Sequence, residues 1–205
     1  MRIKISRREA DLLKLFSEKK RYLRTSEAIR RGFDSRYLYS LVEKRKLVPF
    51  GRGIFKLRDL PEPKFPKLLA ASVKVPQGVI SGGSALTFHG LTTHIFSDVH
   101  LSLMKGAKRP KIFQPSITFF WISEPVFSEA IEVHKMDGAE LRVYSAEKAI
   151  ADCFKFRSRI GIKVCIEALR TWTSKKNRNT KKLMHHAKSC RVEKIIRPYL
   201  DAMTL

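Results

Sequence analysis

The amino-acid sequence predicts an α+β protein in two parts. Of its 205 residues, 43% are hydrophobic, which is enough to form a core. Apolar residues recur at helical spacing in some segments and alternate as in strands in others. Three prolines within residues 61–66 mark a boundary, since proline fixes φ and lacks a backbone donor. We expect an N-terminal domain over 1–60, a linker over 61–66, and over 67–205 a mixed domain with a small antiparallel sheet and C-terminal helices.

The first helix is predicted to run from about Arg7 to Lys19. Ser6 and Glu9 have the spacing of a Ser-x-x-Glu capping box. In such a box the serine side chain accepts from the backbone N–H of the glutamate, and the glutamate side chain accepts from the backbone N–H of the serine. The apolar run that follows has helical spacing, with charged residues between its members. Residues 22–24 are expected to be a short link to the next helix.

A short second helix is predicted over residues 26–31. Thr25 is its expected N-cap, because a hydroxyl oxygen can accept from the first free backbone N–H groups. Gly32 is expected to end the helix, since glycine tolerates the positive φ of many helix ends. A third helix follows to about Lys46, capped by Asp34 or Ser35.

The third helix is amphipathic and precedes a hairpin. Its inward stripe is Leu38, Leu41 and Val42, with Tyr37 at the edge. Residues 47–50 and 54–57 are expected to be strands joined by a glycine-containing turn. Helix, short helix, turn, helix and basic hairpin is the order of a winged helix-turn-helix. In such a unit the third helix lies in the major groove of DNA.

The outward face of the third helix carries the predicted DNA contacts. Arg36, near the helix start, is expected to read a guanine edge, and Tyr39 can reach bases or phosphates. Arg52 lies between two glycines at the hairpin tip, where the backbone can approach DNA closely. A solvated face or a protein-interaction module are the alternative interpretations. The full predicted set is Thr25, Ser26, Ser35, Arg36, Tyr39, Ser40, Lys44, Arg52 and Lys56.

Positive charge is concentrated at both ends of the chain. The net charge is +23, and it divides into +11 over residues 1–60, +2 over 61–150 and +10 over 151–205. An excess of this size indicates a polyanionic partner. A second basic patch is a candidate nucleic-acid contact, a surface for an acidic partner, or solvated loops. Its residues are Lys108, Arg109, Lys175, Lys176, Arg178, Lys181 and Lys182.

A glycine-rich segment stands near the start of the second domain, after a helix expected over 67–75. Gly82-Gly83-Ser84 resembles the start of a nucleotidyltransferase signature, but no pair of aspartates follows and Asp98 stands alone. Without paired carboxylates there is nothing to hold Mg²⁺ for phosphoryl transfer. The segment is therefore interpreted as the start of a tightly packed helix over 84–89.

Four strands and four helices are predicted in the rest of the second domain. The expected strands are 98–104, 116–122, 131–134 and 140–144, the last two joined by an Asp137-Gly138 turn. The expected helices are 145–159 with Ser145 as N-cap, 162–174, 180–189 and 192–203, the last containing Pro198.

Several classes of protein and site are excluded by the sequence. It has no apolar run of about 18 residues to cross a membrane and no signal-peptide pattern at the N-terminus, so a cytoplasmic protein is expected. Three widely spaced cysteines fit neither a disulfide framework nor a zinc site. No histidine pair has His-x-x-x-His spacing, and His185 and His186 point to different faces of a helix. No metal, cofactor or catalytic residue is predicted.

Four segments are similar to the AbiEi family, antitoxins of type IV toxin–antitoxin pairs linked to abortive phage infection. The resemblance extends over nearly the whole chain, and its most specific part is the Tyr-Ser-x-Glu-Lys-x-x-x-Asp-Cys run from Tyr144 to Cys153. The segments are 84–92, 106–110, 143–157 and 191–200.

The resemblance implies two activities. The N-terminal unit would bind repeats in its own promoter and repress the operon. The second domain would counteract a nucleotidyltransferase-like toxin, without an obligatory stable complex. The family has no established catalytic residues to carry over, and the matched Lys148 and Asp152 are expected to be structural. An enzyme acting on nucleic acid, and a purely protein- or RNA-binding module, are the alternatives.

Overall fold

The computed structural model describes residues 7–18, 22–51, 53–59, 63–112, 114–136 and 139–204. The chain divides into two units, one of residues up to 74 with 135–140 and one of residues 75–134 with 141–205. Helices and two separate sheets are present, so the predicted α+β class is confirmed. Every helix in the described ranges is too short or too polar to cross a bilayer.

The first unit contains a three-stranded antiparallel sheet in the order β1-β3-β2. Residues 22–24, predicted as a link, form strand β1 because their backbone groups pair with the hairpin, with Leu23 opposite Phe55. The elements are α1 (Arg7–Glu18), β1 (Tyr22–Arg24), α2 (Thr25–Arg30), α3 (Ser35–Glu43), β2 (Leu47–Gly51), β3 (Ile54–Leu57) and α4 (Pro66–Lys74).

One apolar cluster joins α1, α2 and α3 to the sheet. Leu38 and Leu41 of α3 are fully buried in it, and Val42 and Tyr37 are partly buried at its border, which confirms the predicted stripe. The other fully or nearly fully buried members are Leu12, Phe16, Leu23, Ala28, Leu47 and Phe55.

Helix ends in the first unit differ in detail from prediction. Asp34 caps α3, accepting from the backbone N–H of Arg36 at 2.8 Å, but the helix ends at Glu43 instead of near Lys46. Lys46 instead donates to the buried carboxylate of Glu9 on α1. Ser6, the other half of the predicted capping box, lies outside the described residues.

The second unit contains most of a five-stranded sheet in the order β6-β5-β4-β8-β7; residues 135–136 and 139–140, at adjoining ends of β7 and β8, are grouped with the first unit. Its elements are β4 (Val79–Ile80), α5 (Gly82–Phe88), β5 (Val99–Met104), β6 (Ile117–Ile122), β7 (Ile131–Met136), β8 (Ala139–Tyr144), α6 (Ala146–Lys155), α7 (Arg157–Ile160), α8 (Ile162–Thr173), α9 (Thr180–Ser189) and α10 (Glu193–Thr204).

This sheet is mixed, whereas an antiparallel sheet was expected. Strands β5 and β6 are parallel to each other, as are β4 and β8. Strands β4 and β5 are antiparallel. The connection over residues 105–116 is long enough for the crossover that parallel strands need, and strand alternation carries no information on direction. Asp137 and Gly138 lie outside the described residues, between two strands that are neighbours in the sheet.

The boundary between the two units lies after the proline-rich segment, whereas it was predicted within that segment. The division into units comes after Lys74, so α4 is grouped with the first unit. Within the predicted linker, α4 begins at Pro66, and residues 60–62 lie outside the described ranges. In the second unit, the helix expected over 145–159 is two helices, because the backbone leaves helical geometry at Phe156.

Helix α6 has seven buried residues among its ten and holds an ion pair. Ser145 caps it as predicted, accepting from the N–H of Lys148. Lys148 and Asp152 are 0% and 1% exposed, and Nζ lies 2.6 Å from Oδ1. The ammonium also lies 4.4 Å from the centre of the Tyr144 ring, and the Cys190 thiol donates to the same carboxylate oxygen at 3.2 Å. Burial raises the pKa of this thiol to about 12, so it stays protonated and can donate.

Removing one partner of this pair is expected to destabilise the second unit strongly. Lys148→Met leaves a buried carboxylate without its cation, which costs about 3–5 kcal/mol of unfolding free energy in comparable pairs. Urea unfolding followed by tryptophan fluorescence measures it, because Trp121 and Trp172 both lie in the second unit.

A double variant and a surface control complete this experiment. Lys148→Met with Asp152→Asn is expected to be more stable than Lys148→Met alone, because no buried charge remains. Lys155→Met, on the exposed side of the same helix, should change stability by no more than about 0.5 kcal/mol. If the single and double variants lost equal amounts of unfolding free energy, the charges of Lys148 and Asp152 would not be energetically coupled.

Candidate nucleic-acid interface

Helix α3 exposes a polar face opposite its buried stripe. Arg36, Tyr39, Glu43 and Lys44 are exposed, whereas the intervening leucines are fully buried. The backbone of the first turn is held by the Asp34 cap, and the hydrogen bond from Arg36 N–H lowers the pKa of that carboxyl below its usual range. The helix therefore presents these side chains from a rigid base.

Tyr39 is an exposed aromatic residue supported by the hairpin. Its side chain is 54% exposed, and its ring meets that of buried Phe55 edge-on, with centroids 5.3 Å apart. An edge-to-face contact fixes the ring while leaving its outer edge and hydroxyl accessible. The ring can therefore stack on a base or its hydroxyl can bond a phosphate.

The predicted hydroxyl contacts are partly used inside the protein. Thr25 was predicted as the N-cap of α2, but the helix begins at Thr25 with Arg24 as its cap residue. The Thr25 hydroxyl instead donates to the Gly53 carbonyl at 3.3 Å, which ties α2 to the hairpin. Ser40 donates to the Tyr37 carbonyl and Ser35 to Asp34, whereas Ser26 is exposed.

Two basic side chains, one from the hairpin and one from the end of α4, lie around an aromatic ring of the hairpin. Lys56 Nζ lies 5.6 Å and Lys74 Nζ 5.0 Å from the centre of the Phe50 ring. Sequence reasoning missed Lys74, because it follows the proline-rich segment and nothing local relates it to the hairpin. Burial lowers the pKa of Lys74 below its usual value. Arg52, the predicted tip residue, lies outside the described residues.

The second basic patch lies on two connections of the second unit and on the first turn of α9, which contains Lys181 and Lys182. Lys175 donates to the His89 carbonyl at 2.8 Å, and Arg178 donates to the Lys175 carbonyl at 3.4 Å. Arg109 lies over the Phe119 ring at 5.7 Å, on the β5–β6 connection. The structure thus fixes part of this patch against its own backbone and rings. All seven predicted residues are exposed: Lys108, Arg109, Lys175, Lys176, Arg178, Lys181 and Lys182.

The glycine-rich segment is used for packing α5 on β5. Gly83 N–H donates to His100 Nδ1 at 3.0 Å, and the His100 N–H donates to Ser84 Oγ at 2.9 Å. A Cβ at Gly83 would lie 2.2 Å from the Phe96 ring, so any other residue there would have to displace that ring. The interpretation as a tightly packed helix is confirmed, with the helix beginning at Gly82. Burial lowers the pKa of His100 to about 4.

A cavity of about 450 Å³ opens beside His100. Asp98 accepts from the Thr118 hydroxyl at 2.8 Å, and the Arg159 guanidinium lies 4.4 Å from the centre of the Phe120 ring. Asp98 is the one carboxylate in the described lining of this cavity. In Mg²⁺ sites for phosphoryl transfer, the ion is held by carboxylates together with substrate phosphates. The described lining is His94, Phe96, Ser97, Asp98, His100, Thr118, Phe120, Arg159 and Ile160.

One group of side chains could hold a metal ion. Glu129, His185 and His186 each offer a ligand atom, and these atoms lie within 4.8 Å of one another. Sequence reasoning predicted no metal site, because it considered only the spacing of histidines along the chain. Glu129 is far from them in sequence, so no local signal could have identified this group.

Comparison with known proteins gives a fold relationship. No family model matches the sequence, and no curated protein is significantly similar to it. The structure is similar to the crystal structure of the RV2827C protein from Mycobacterium tuberculosis, with a TM-score of 0.56 and 10% sequence identity. The similarity covers 93% of this chain and 79% of that chain. At this identity it shows the fold alone.

Acidification is expected to destabilise the second unit through His100. Its pKa lies at about 4 in the folded chain, below the ordinary 6.5, so the unfolded chain takes up the proton first. The His100 contribution is therefore complete above pH 6.5 and falls by on the order of 3 kcal/mol between pH 7 and pH 4. Urea unfolding at several pH values measures this loss, and NMR titration measures the pKa directly.

Two asparagine variants test the assignment. His100→Asn keeps an acceptor near the position of Nδ1 and does not titrate, so its stability should depend less on pH than that of the wild type. His94→Asn removes an exposed histidine from the same cavity and should leave the pH dependence unchanged. A wild-type pH dependence in His100→Asn would assign the effect to other groups.

Proposed function

We propose that this chain is a DNA-binding transcriptional autorepressor and the antitoxin of a type IV toxin–antitoxin pair. Its first unit would bind repeats in its own promoter. Its second unit would counteract a nucleotidyltransferase-like toxin in the cytoplasm, without requiring a stable complex. The exposed polar face of α3, opposite a fully buried leucine stripe, is the observation that carries the DNA-binding part.

The order of elements in the first unit supports a winged helix-turn-helix. A short helix, a turn at Gly32, helix α3 and the β2–β3 hairpin follow one another, and Gly32 has φ of +83°. Strand β3 of the hairpin pairs with β1 on its other side, and this pairing anchors the hairpin to the core. A hairpin anchored in this way could serve as the wing. In this class of unit, the helix after the turn enters the major groove.

Charge and side-chain chemistry support a division of roles on this surface. Residues 1–60 carry +11, which favours contact with phosphates. Arg36 lies at the start of α3, where its guanidinium could bond a guanine edge in two places. Ser26, Lys44 and Lys56 would contact phosphates, which orient the protein without reading sequence.

The antitoxin part rests on the similarity to AbiEi proteins. The most specific segment, 144–153, forms the end of β8 and most of α6, and its charged pair is buried. The burial of Lys148 and Asp152 supports the structural role that was expected for them. The exposed residues of that unit, including the basic connection over 175–182, are the part available to a partner.

Binding to promoter DNA is expected to be specific and strongly salt-dependent. With six or more phosphate contacts, the affinity should fall by about 10³-fold or more between 50 and 200 mM salt. Fluorescence anisotropy with a labelled promoter fragment and a scrambled fragment measures both properties. Binding that is insensitive to salt, or equal on the two fragments, would contradict the proposal.

An arginine pair provides the matched control for this measurement. Arg36→Ala should lower the preference for promoter over scrambled DNA by about 1–3 kcal/mol, which is roughly 5- to 150-fold. Arg7→Ala removes the same charge from an exposed position on α1 and should leave the preference unchanged. Equal effects of the two variants would exclude Arg36 from base reading.

The two activities are expected to separate in cells. The gene of the proposed nucleotidyltransferase-like toxin is expressed from an inducible promoter, and this chain is expressed from an unrelated promoter. A reporter of this chain's own promoter is present in the same cells. The wild type should restore growth and repress the reporter. Arg36→Ala should restore growth but lose repression, because its second unit is unaltered. A wild type that fails to restore growth would contradict the antitoxin activity.

A further inference from the structure

We propose that Glu129, His185 and His186 form a binding site for a divalent transition-metal ion of the zinc class. Glu129 lies in the turn after β6, and the two histidines lie on α9. All three belong to the second unit, whereas the proposed DNA-contacting residues belong to the first. Two imidazoles and a carboxylate are a common ligand set of zinc, with water completing the shell.

The distance between two of the ligand atoms fits a shared ion. His186 Nδ1 lies 3.3 Å from Glu129 Oε2. For metal–ligand bonds of about 2.0–2.1 Å, two corners of a tetrahedral shell lie about 3.3 Å apart. A charge-assisted N–H···O bond is usually shorter, at about 2.7–2.9 Å. In the metal-free chain the two atoms form a long hydrogen bond, and their separation also matches the spacing of two ligands on one ion.

His185 supplies the third ligand despite its neighbouring position on the helix. Its ring meets that of His186 in an edge-to-face contact, with a centroid distance of 5.1 Å and an angle of 72° between the planes, so the two imidazoles lie next to each other. The three ligand atoms lie within 4.8 Å of one another, slightly wider than a coordination shell. His185 is exposed, so a rotation of its side chain can close that gap.

Burial and charge make the site selective. His186 is 7% exposed and Glu129 is partly buried, so two of the three ligands are held in place by packing. The positive charge of the nearby Lys148 is neutralised by Asp152, whose Oδ1 lies 2.6 Å from Lys148 Nζ. One carboxylate with two imidazoles favours zinc, cobalt or nickel over Mg²⁺, which requires a shell of oxygen ligands. The bound ion would fasten the 124–130 turn to α9.

Cobalt and zinc titrations of the full-length, untagged protein test the site. One equivalent of Co²⁺ should bind and give visible d–d absorption of four- or five-coordinate cobalt, which Zn²⁺ then abolishes. Zn²⁺ should also raise the Tm of the second unit by a few degrees, roughly the effect of tight binding to the folded state. Mg²⁺ should do neither. Absence of saturable binding would overturn the proposal.

Three variants locate the ion. His185→Ala and Glu129→Gln change residues that are not fully buried, and each should weaken the affinity at least about 100-fold, since even changes behind the ligands cost 10- to 100-fold. His134→Ala is the control, because His134 and Glu132 form a similar exposed pair at 3.1 Å on β7. Unchanged binding in the first two variants, an equal loss in the control, or thiolate-to-cobalt charge-transfer bands would overturn the site.

Discussion

The second unit is organised around the buried ion pair of α6. Lys148 and Asp152 have almost no contact with solvent, so each depends on the other and on Tyr144 and Cys190 for compensation. These groups come from β8, α6 and the end of α9, and α6 also contacts α5, α8 and α10. A buried charge tolerates little displacement, because separation from its partner leaves it in a medium of low dielectric constant. The pair therefore requires β8 and the surrounding helices to keep their places.

The first unit follows a simpler constraint, which is the burial of one apolar cluster. Leu38 and Leu41 must face this cluster, and a helix that buries one stripe necessarily presents the opposite one to solvent. Arg36, Tyr39 and Lys44 therefore become accessible as a consequence of the core. Phe55 links the buried cluster to the exposed face of α3, since it is buried in the cluster and its ring contacts the exposed Tyr39 ring.

The predictable parts of the fold and site have local causes. The stripe of α3, the Asp34 and Ser145 caps and the glycine at the end of α2 depend on residues within one turn of each other. Strand β1 was missed, because three residues become a strand only when a partner bonds them. Thr25 was predicted as the N-cap of α2, but its hydroxyl bonds the Gly53 carbonyl of the hairpin, which is 28 residues away in the chain.

The sequence by itself determined the α+β class, the amphipathic α3 with its polar residues, and the concentration of charge at both ends. These follow from composition and periodicity, which are properties of short segments. Only the tertiary structure decided the direction of the strands, the pairing of Lys46 with Glu9, the placement of Lys74 beside Phe50, and the convergence of Glu129 with His185 and His186. Each of these joins residues far apart in the chain, and their proximity is set by how the helices and strands pack.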